Sequence, residues 1–275
     1  GYGLFLPYQY LDEPTWLLGL DYKPIDDMLL YAKYARGYRQ GNVNLAGLDE
    51  EKGGVRYDVS EPEQVDNYEI GFKSSFSGQF PATFNMAAFY NDFKDQQIQF
   101  GYFKRAGVGT TSIINSGAST IWGIEVDGSV QLVENFVLSG SYTYLNTETD
   151  ELEIPPYPDG ARPGSTLSIT TAEGEPLSYS PENKLVLTAS YLLPLDESLG
   201  DMTVSASYIY TDDMQAVSEA TSPLYLLEDY DLVNLNFDWK RIAGSPVDLS
   251  IFATNVTDEE YITFLTGNWF SVGVE

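Results

Sequence analysis

The sequence predicts an all-β protein, namely an up-and-down antiparallel transmembrane β-barrel of which about ten strands are present. Three observations predict this fold class. Apolar and polar residues alternate along many segments, the connections between these segments are short and long in turn, and aromatic residues cluster near the segment ends.

Alternation is the signal that defines each predicted strand. In residues 68–76 the even-numbered positions are mostly apolar, and the odd-numbered positions are polar or glycine. A helix would scatter these residues around its axis, whereas a strand separates them onto two faces. The pattern recurs clearly in 136–144, 184–191, 202–210 and 233–239, and more weakly in roughly 15–23, 28–39, 83–97, 119–131 and 247–255.

The connections between the predicted strands alternate strictly in length. An up-and-down membrane barrel has short turns on one side and long loops on the other, whereas a soluble sandwich has no reason to keep this order. The short connections are 23–27, 77–81, 133–135, 195–200 and 243–246, and the long ones are about 40–66, 98–112, 148–182, 213–227 and 257–270.

The distribution of aromatic and charged residues favours a membrane barrel over a sandwich. Aromatic rings near strand ends are typical of the girdles at lipid headgroup level, and the acidic residues lie mostly in the long connections. Because a charge at mid-bilayer costs about 2–4 kcal/mol, we expect the apolar face to contact lipid and the polar face to line the interior. The expected lipid-facing set is Tyr68, Ile70, Phe72, Leu138, Tyr142, Leu187, Val204, Leu235 and Phe237, and the expected interior set is Glu69, Lys73, Glu125, Ser141, Thr188, Ser205 and Asn236.

The composition excludes several classes of function. The chain has 275 residues, 14 of them basic and 41 acidic, a formal net charge of −27, and neither His nor Cys. It therefore has no His base, no Ser-His or Cys-His pair and no imidazole or thiolate metal site, so we expect no enzyme activity, no metal and no cofactor. Nucleic acid is excluded as a partner, because binding phosphates needs a basic face. No apolar run approaches the roughly 18 residues of a membrane helix.

Several short motifs follow one another along the chain. Residues 29–39 read LLYAKYARGYR, residues 66–73 read DNYEIGFK and residues 88–96 read AFYNDFKDQ. Taken in this order and spacing, these and the later motifs resemble the barrel of TonB-dependent outer-membrane receptors over nearly the whole chain. The residues that carry the resemblance are Gly37, Tyr38, Arg39, Tyr68, Glu69, Gly71, Lys73, Asn115, Gly117, Gly123, Glu125, Pro181, Asn255, Asp258 and Tyr261.

The resemblance implies that these motif residues are structural and that the chain is incomplete. Such receptors have an N-terminal plug and a barrel of about 22 strands, so we expect residues 1–275 to be a partial barrel domain without the plug and the last strand. Strand 15–23 and the stretch after Tyr261 should each present an unpaired edge. The expected location is the outer membrane of a Gram-negative bacterium, in contact with lipid and lipopolysaccharide, and the TonB complex would act through the missing plug.

The function that the resemblance implies is energised import of a scarce, bulky small molecule, such as a ferric siderophore, cobalamin or an oligosaccharide. Basic groups can hold anionic ferric chelates, and exposed aromatic tips could contact them. The candidate ligand contacts are Tyr102, Phe103, Lys104, Arg105, Tyr157 and Arg162. Two alternatives stay open: a passive channel or autotransporter-type barrel, and a secreted soluble β-sandwich that binds glycans.

Overall fold

The computed structural model describes residues 13–44, 58–103, 109–153, 168–169, 171–217 and 225–265. Extended backbone dominates these residues, and the helical segments are single 3-10 turns at Glu197–Leu199 and Ile242–Gly244. None of the described residues form a helix long and apolar enough to cross a membrane. The strands are β1 (Trp16–Ile25), β2 (Met28–Arg39), β3 (Val43–Asn44), β4 (Asp58–Val59), β5 (Glu63–Phe76), β6 (Ala82–Phe103), β7 (Gly109–Val133), β8 (Phe136–Leu152), β9 (Ser168–Ile169), β10 (Asn183–Leu192), β11 (Asp201–Thr211), β12 (Met214–Gln215), β13 (Leu226–Leu227), β14 (Tyr230–Lys240) and β15 (Leu249–Ala253).

One antiparallel sheet contains the ten strands that match the sequence prediction. Its order is β1-β2-β5-β6-β7-β8-β10-β11-β14-β15, so each of these strands lies next to its neighbour along the chain. The short strands lie in the long connections, where β3 pairs with β4, β12 pairs with β13, and β9 pairs with the end of β6. The predicted up-and-down topology is therefore confirmed, and the ten-stranded sheet is called the wall below.

The register places the alternating residues on two continuous faces of the wall. Leu187 pairs with Tyr208, which pairs with Val233, and the intervening polar residues form their own row. The apolar face stays open: Ile70 is 64% exposed and Val204 is 45% exposed. A sandwich would bury this face as its core. The register and the exposure together therefore favour a membrane barrel, in which this face is suited to contact lipid, over a sandwich.

Aromatic residues line the apolar face near both ends of the strands. On the side of the long connections, the Tyr34 ring stacks on Tyr68 with centroids 5.0 Å apart, and Tyr68 lies 6.4 Å from Tyr90. On the side of the short turns, Phe136 and Tyr191 lie 6.4 Å apart. These two rows have the positions expected of aromatic girdles at the two membrane surfaces.

The hydrophobic core of the described residues lies beyond the aromatic row, at the end of β6 and in a long connection. Its buried apolar side chains are Ile98, Ala216, Val217 and Leu227. Ile98 belongs to the far end of β6, and the other three belong to the long connection between β11 and β14. Water-driven burial therefore acts in the long connections, whereas many apolar side chains of the wall remain exposed.

The structure corrects the predicted extent of one long connection. Residues 98–112 were expected to form a loop, but β6 continues to Phe103 and β7 starts at Gly109, and these two residues pair. Apolar and polar residues alternate poorly here, because this part of the two strands lies beyond the aromatic row, where neither face has to be apolar. Backbone pairing alone extends this hairpin beyond the aromatic row.

Two strands of the wall lack a partner on one side among the described residues. The strand β1 is one edge of the sheet, as expected, and the other edge is β15. The expected second edge after Tyr261 falls partly on residues 266–275, which lie outside the described residues.

Candidate functional site: the polar face and the long connections

A charged cluster lies on the polar face where β2 and β5 meet. The Tyr31 hydroxyl donates a hydrogen bond of 2.8 Å to Glu69 Oε1, and Lys33 Nζ lies 2.6 Å from Glu69 Oε2. Lys73 Nζ lies 5.7 Å from the centre of the Tyr31 ring. The predicted interior residues Glu69 and Lys73 thus share one cluster, and charge of this kind needs hydration or a polar partner in the barrel interior.

Two of the motif glycines lie directly beneath aromatic rings of this face. A Cβ atom on Gly71 would overlap the Tyr31 ring, and one on Gly123 would lie 2.9 Å from Phe89 Cζ. Glycine is therefore required for the rings to lie flat against the neighbouring backbone. This contact explains why the ring of Tyr31 is held where its hydroxyl reaches Glu69.

The strand β7, which follows β6 in the sheet, adds two carboxylates to the polar face. Asp127 accepts a hydrogen bond of 2.8 Å from Asn85 Nδ2. Glu125 lies opposite Ala87 and Thr143 in the register and has no ion-pair partner among the described residues. An unpaired carboxylate on an interior wall can accept hydrogen bonds from water or from a group in the lumen.

Short hydroxyl side chains replace the charges farther along the polar face. Thr188 and Ser207 Oγ atoms lie 2.9 Å apart, as do those of Ser190 and Ser205. Because these hydroxyls bond to each other and are small, the surface is shallow and neutral there. A depression of about 350 Å³ is lined by Thr83, Asp127, Gly128, Ser129, Ser139, Gly140, Ser141, Val186 and Thr188.

A polar network anchors the connection between β2 and β5 to the β6–β7 hairpin. Arg39 lies 2.6 Å from Glu63, whose Oε2 accepts the Gln97 backbone N–H at 2.7 Å. The Asn115 amide donates to the backbone carbonyls of Glu61 and Asp95 at 2.8 and 2.7 Å. The motif residues Arg39 and Asn115 therefore fix the base of a long connection.

A second set of contacts orders the chain after β15. Asn255 bonds to the backbone of Glu259 in both directions at 2.9 Å, and the Tyr261 ring stacks on Tyr230 with centroids 4.3 Å apart. Asn255 and Asp258 have positive φ angles of 50° and 57°, which these residue types tolerate. The late motif thus forms a compact turn that packs against the end of β14.

The carboxylate of Asp212 lies just beyond β11, on the side of the long connections, and accepts several hydrogen bonds. The Asn183 amide donates a hydrogen bond of 2.6 Å to Asp212 Oδ2, and the Tyr210 hydroxyl donates one of 3.0 Å to Oδ1. The bond from Asn183 is the main cause that lowers the pKa of Asp212, and burial opposes it. The carboxylate therefore stays charged and holds the two strand ends together.

On the apolar face, charged residues follow directly after the row of Tyr34, Tyr68 and Tyr90, on the side of the long connections. The Arg36 guanidinium donates two hydrogen bonds to the Asp66 carboxylate, of 2.7 and 2.5 Å. Lys94 Nζ lies 3.1 Å from Asp92 and 3.9 Å from Asp66. These four residues, Arg36, Asp66, Asp92 and Lys94, are called the outer ionic cluster.

The candidate ligand contacts are not brought together by the described part of the structure. The backbone of Tyr102 and Phe103 belongs to β6, but their side chains lie outside the described residues, as do Lys104, Arg105, Tyr157 and Arg162. The sequence pattern did not reveal Tyr31 and Lys33 as partners of Glu69, or Asp127 as a further carboxylate of the polar face. Their odd-numbered positions in 28–39 and 119–131 were the available signal, since both segments alternate.

The fold and the two faces of the wall define a section of a transmembrane β-barrel with a polar interior. The family model "TonB dependent receptor-like, beta-barrel" matches residues 6–256. The chain therefore belongs to the TonB-dependent receptor β-barrel family, a family of receptors and transporters in the Gram-negative outer membrane.

The chain is similar to several named members of this family. It is 22% identical over 253 residues to the probable TonB-dependent siderophore receptor PiuA of Acinetobacter baumannii, covering 92% of this chain and 31% of PiuA. The crystal structure of PiuA matches with a TM-score of 0.65 at 19% identity, covering 91% of this chain and 32% of that one. The ferric yersiniabactin uptake receptor FyuA of Yersinia pestis matches with a TM-score of 0.65 at 15% identity, covering 92% and 34%. The chain thus spans about a third of the length of these relatives, and the structural likeness shows the fold.

Proposed function

We propose that the protein is an outer-membrane receptor that imports a scarce, bulky ligand by active transport coupled to TonB. On this proposal residues 1–275 are a partial barrel domain, and the plug that would contact TonB is supplied by another part of the receptor. The observation that carries the proposal is the family match over residues 6–256. The charged polar face around Glu69 supports it, because this face suits an interior filled by water or polar protein.

The proposed cargo is a ferric siderophore or a similar metal chelate. PiuA and FyuA are named as receptors for siderophores or their ferric complexes. In this chain Lys104 and Arg105 lie in the connection between Phe103 and Gly109, which pair at the end of the β6–β7 hairpin. Two cations at the end of a hairpin suit an anionic chelate, in a chain whose net charge is −27.

The described part of the β6–β7 hairpin extends far beyond the membrane-spanning part of the wall. Phe103 is 13 residues beyond Tyr90 of the aromatic row, which corresponds to about 43 Å along an extended strand. Tyr102, Phe103, Tyr157 and Arg162 remain further proposed contacts. Lipid and lipopolysaccharide are the proposed neighbours of the apolar face and of its outer rim.

The test uses the full-length receptor in cells grown under iron limitation. Uptake of radiolabelled iron, supplied as a panel of ferric siderophores, is measured with and without TonB. Uptake of at least one chelate that is lost without TonB supports the proposal. Receptor-dependent uptake that is equal in both strains would favour the passive channel.

A charge-reversal variant tests the proposed contacts separately. Lys104→Glu with Arg105→Glu should raise the concentration for half-maximal uptake several-fold, because both cations become repulsive. The matched control is Lys23→Glu, which reverses a cation of β1 next to a short turn at the opposite end of the wall. Equal effects of the double variant and the control would remove Lys104 and Arg105 from the list of contacts.

A further inference from the structure

The short turns of the wall carry exposed apolar side chains where a water-exposed turn would carry polar ones. Four of the five turns show this plainly: Ile25 is 59% exposed, Phe80 51%, Val133 60% and Val247 57%. The remaining turn exposes Leu195 and Leu199. These six side chains are called the turn ring.

Strand pairing and one hydrogen bond connect members of the turn ring to the apolar face. Ile25 pairs with Met28 and Val133 pairs with Phe136, and both partners belong to the apolar rows of the wall. In the fourth turn the Trp239 indole N–H, on the apolar face, donates a hydrogen bond of 2.7 Å to the Leu199 carbonyl. Ile25 and Val133 therefore lie on the apolar face, and Leu199 adjoins it.

The two rims of the apolar face differ sharply. On the side of the long connections, the next outward residues after Tyr68 and Tyr90 are Asp66 and Asp92 of the outer ionic cluster. The hydrocarbon zone cannot extend past these carboxylates, because unsolvated charge is costly. On the side of the turns, the described residues form an ion pair only beside the last turn, where Arg241 lies 2.7 Å from Asp201, and the other four turns have none.

The height of the wall requires the turn ring. Ala82 and Tyr90 are eight residues apart on β6, which gives about 26 Å along the strand and about 20 Å along the barrel axis at a tilt near 40°. The apolar band of outer-membrane barrels is about 25 Å tall. The outer ionic cluster ends the apolar band on the side of the long connections. The remaining height of about 5 Å must therefore come from the short turns at the other end.

We infer that the turn ring is immersed in the acyl-chain and glycerol region of the inner, phospholipid leaflet. The short turns then do not project into the periplasm, and their charged residues lie at the level of the phospholipid headgroups. The charged neighbours that fit this position are Lys23, Asp26, Asp27, Glu134, Asp196, Glu197, Arg241 and Asp248. The inference rests on the membrane fold and on the proposed full-length receptor, but not on the identity of its cargo.

The test measures the depth of single labelled positions. Residues 1–275 contain no cysteine. Any cysteines elsewhere in the full-length receptor are replaced by serine, so that Val133→Cys and Leu195→Cys each give a unique labelling position. The matched controls are the neighbouring charged positions Glu134→Cys and Glu197→Cys. Each variant is labelled with an environment-sensitive fluorophore and reconstituted into vesicles of phosphatidylethanolamine and phosphatidylglycerol.

Quenching by lipids that carry a spin label near the glycerol, and by aqueous iodide, then reports the depth. We expect lipid quenching at 133 and 195, with iodide quenching there several-fold weaker than at 134 and 197. Equal iodide quenching at ring and control positions, without lipid quenching, would overturn the inference. Protection that appears only after periplasmic extract is added would also overturn it, because the ring would then be a protein-docking surface.

The outcome is independent of the proposed transport. Iron uptake by the same unlabelled variants is measured in cells with and without TonB. Uptake that does not need TonB would refute active transport and leave the depth result standing, whereas a water-exposed ring would refute the inference and leave TonB-dependent uptake standing.

Discussion

A lysine at Leu235 gives the most direct test of the two faces of the wall. Leu235 lies on the apolar face of β14, opposite Ala206 and Ala253 and midway between Asp231 and Trp239. It is 45% exposed in the isolated chain. In a protein surrounded by water, the substitution Leu235→Lys at such a half-exposed position would cost about 0.5 kcal/mol or less.

In a lipid bilayer the same lysine would sit close to the midplane. The cost should then be about 2–4 kcal/mol, which corresponds to a change of roughly 30- to 700-fold in the folding equilibrium constant. The matched control is Asn236→Lys, one residue along on the polar face, whose side chain hydrogen-bonds Asp238 at 2.5 Å. A lysine there can approach Asp238 instead, so its expected cost is about 0.5 kcal/mol or less.

The assay is guanidinium unfolding of the full-length receptor in phospholipid vesicles, followed by tryptophan fluorescence and by heat-modifiable gel mobility. Leu235→Ala is measured alongside to separate lost apolar area from added charge. A cost below about 1 kcal/mol for Leu235→Lys, or an equal cost for Asn236→Lys, would refute the assignment of the apolar face to lipid.

Two further predictions follow from the site. Gly71→Val should displace the Tyr31 ring and cost about 1–3 kcal/mol by overpacking, whereas Gly78→Val, with nothing within 4 Å of its Cβ, should be nearly neutral in the same unfolding assay. The pKa of Asp212 is lowered chiefly by the bond from Asn183, so its stabilising contribution is present above the unfolded value near 3.8 and is lost as the pH falls through the lower folded value. Asn183→Ala should raise the pKa of Asp212, measured by a pH titration of ¹³C-labelled aspartate, and an unchanged pKa would contradict the assignment.

Alternation predicted the wall well because each side chain between the aromatic rows lies either on the apolar face or on the polar face, and each face requires a different residue type. The segment 233–239, for example, became the centre of β14 with Leu235 and Asn236 on opposite faces, as expected. The prediction failed at 98–112, where β6 and β7 continue beyond that constraint. Pairing of backbone groups needs no particular side-chain pattern, so the sequence carried little signal there.

The site could be predicted only one strand at a time. Glu69 and Lys73 were expected on the polar face, but their contact with Tyr31 depends on the register between β2 and β5. Register brings together residues about forty positions apart, and a single sequence does not reveal these pairs. Likewise, the motif residue Asn115 was recognisable, whereas its bonds to Glu61 and Asp95 were not.

The separate location of the hydrophobic core has a consequence for how such a protein changes over generations. Leu227 and its buried neighbours Ala216 and Val217 stabilise the long connection between β11 and β14 by excluding water, whereas the wall leaves its apolar face open and is held by backbone pairing. If the long connections contact the cargo, as proposed, substitutions there can accumulate and redirect recognition while the wall still inserts. A substitution of the wall that places charge in lipid is instead removed at assembly, before recognition is ever tested.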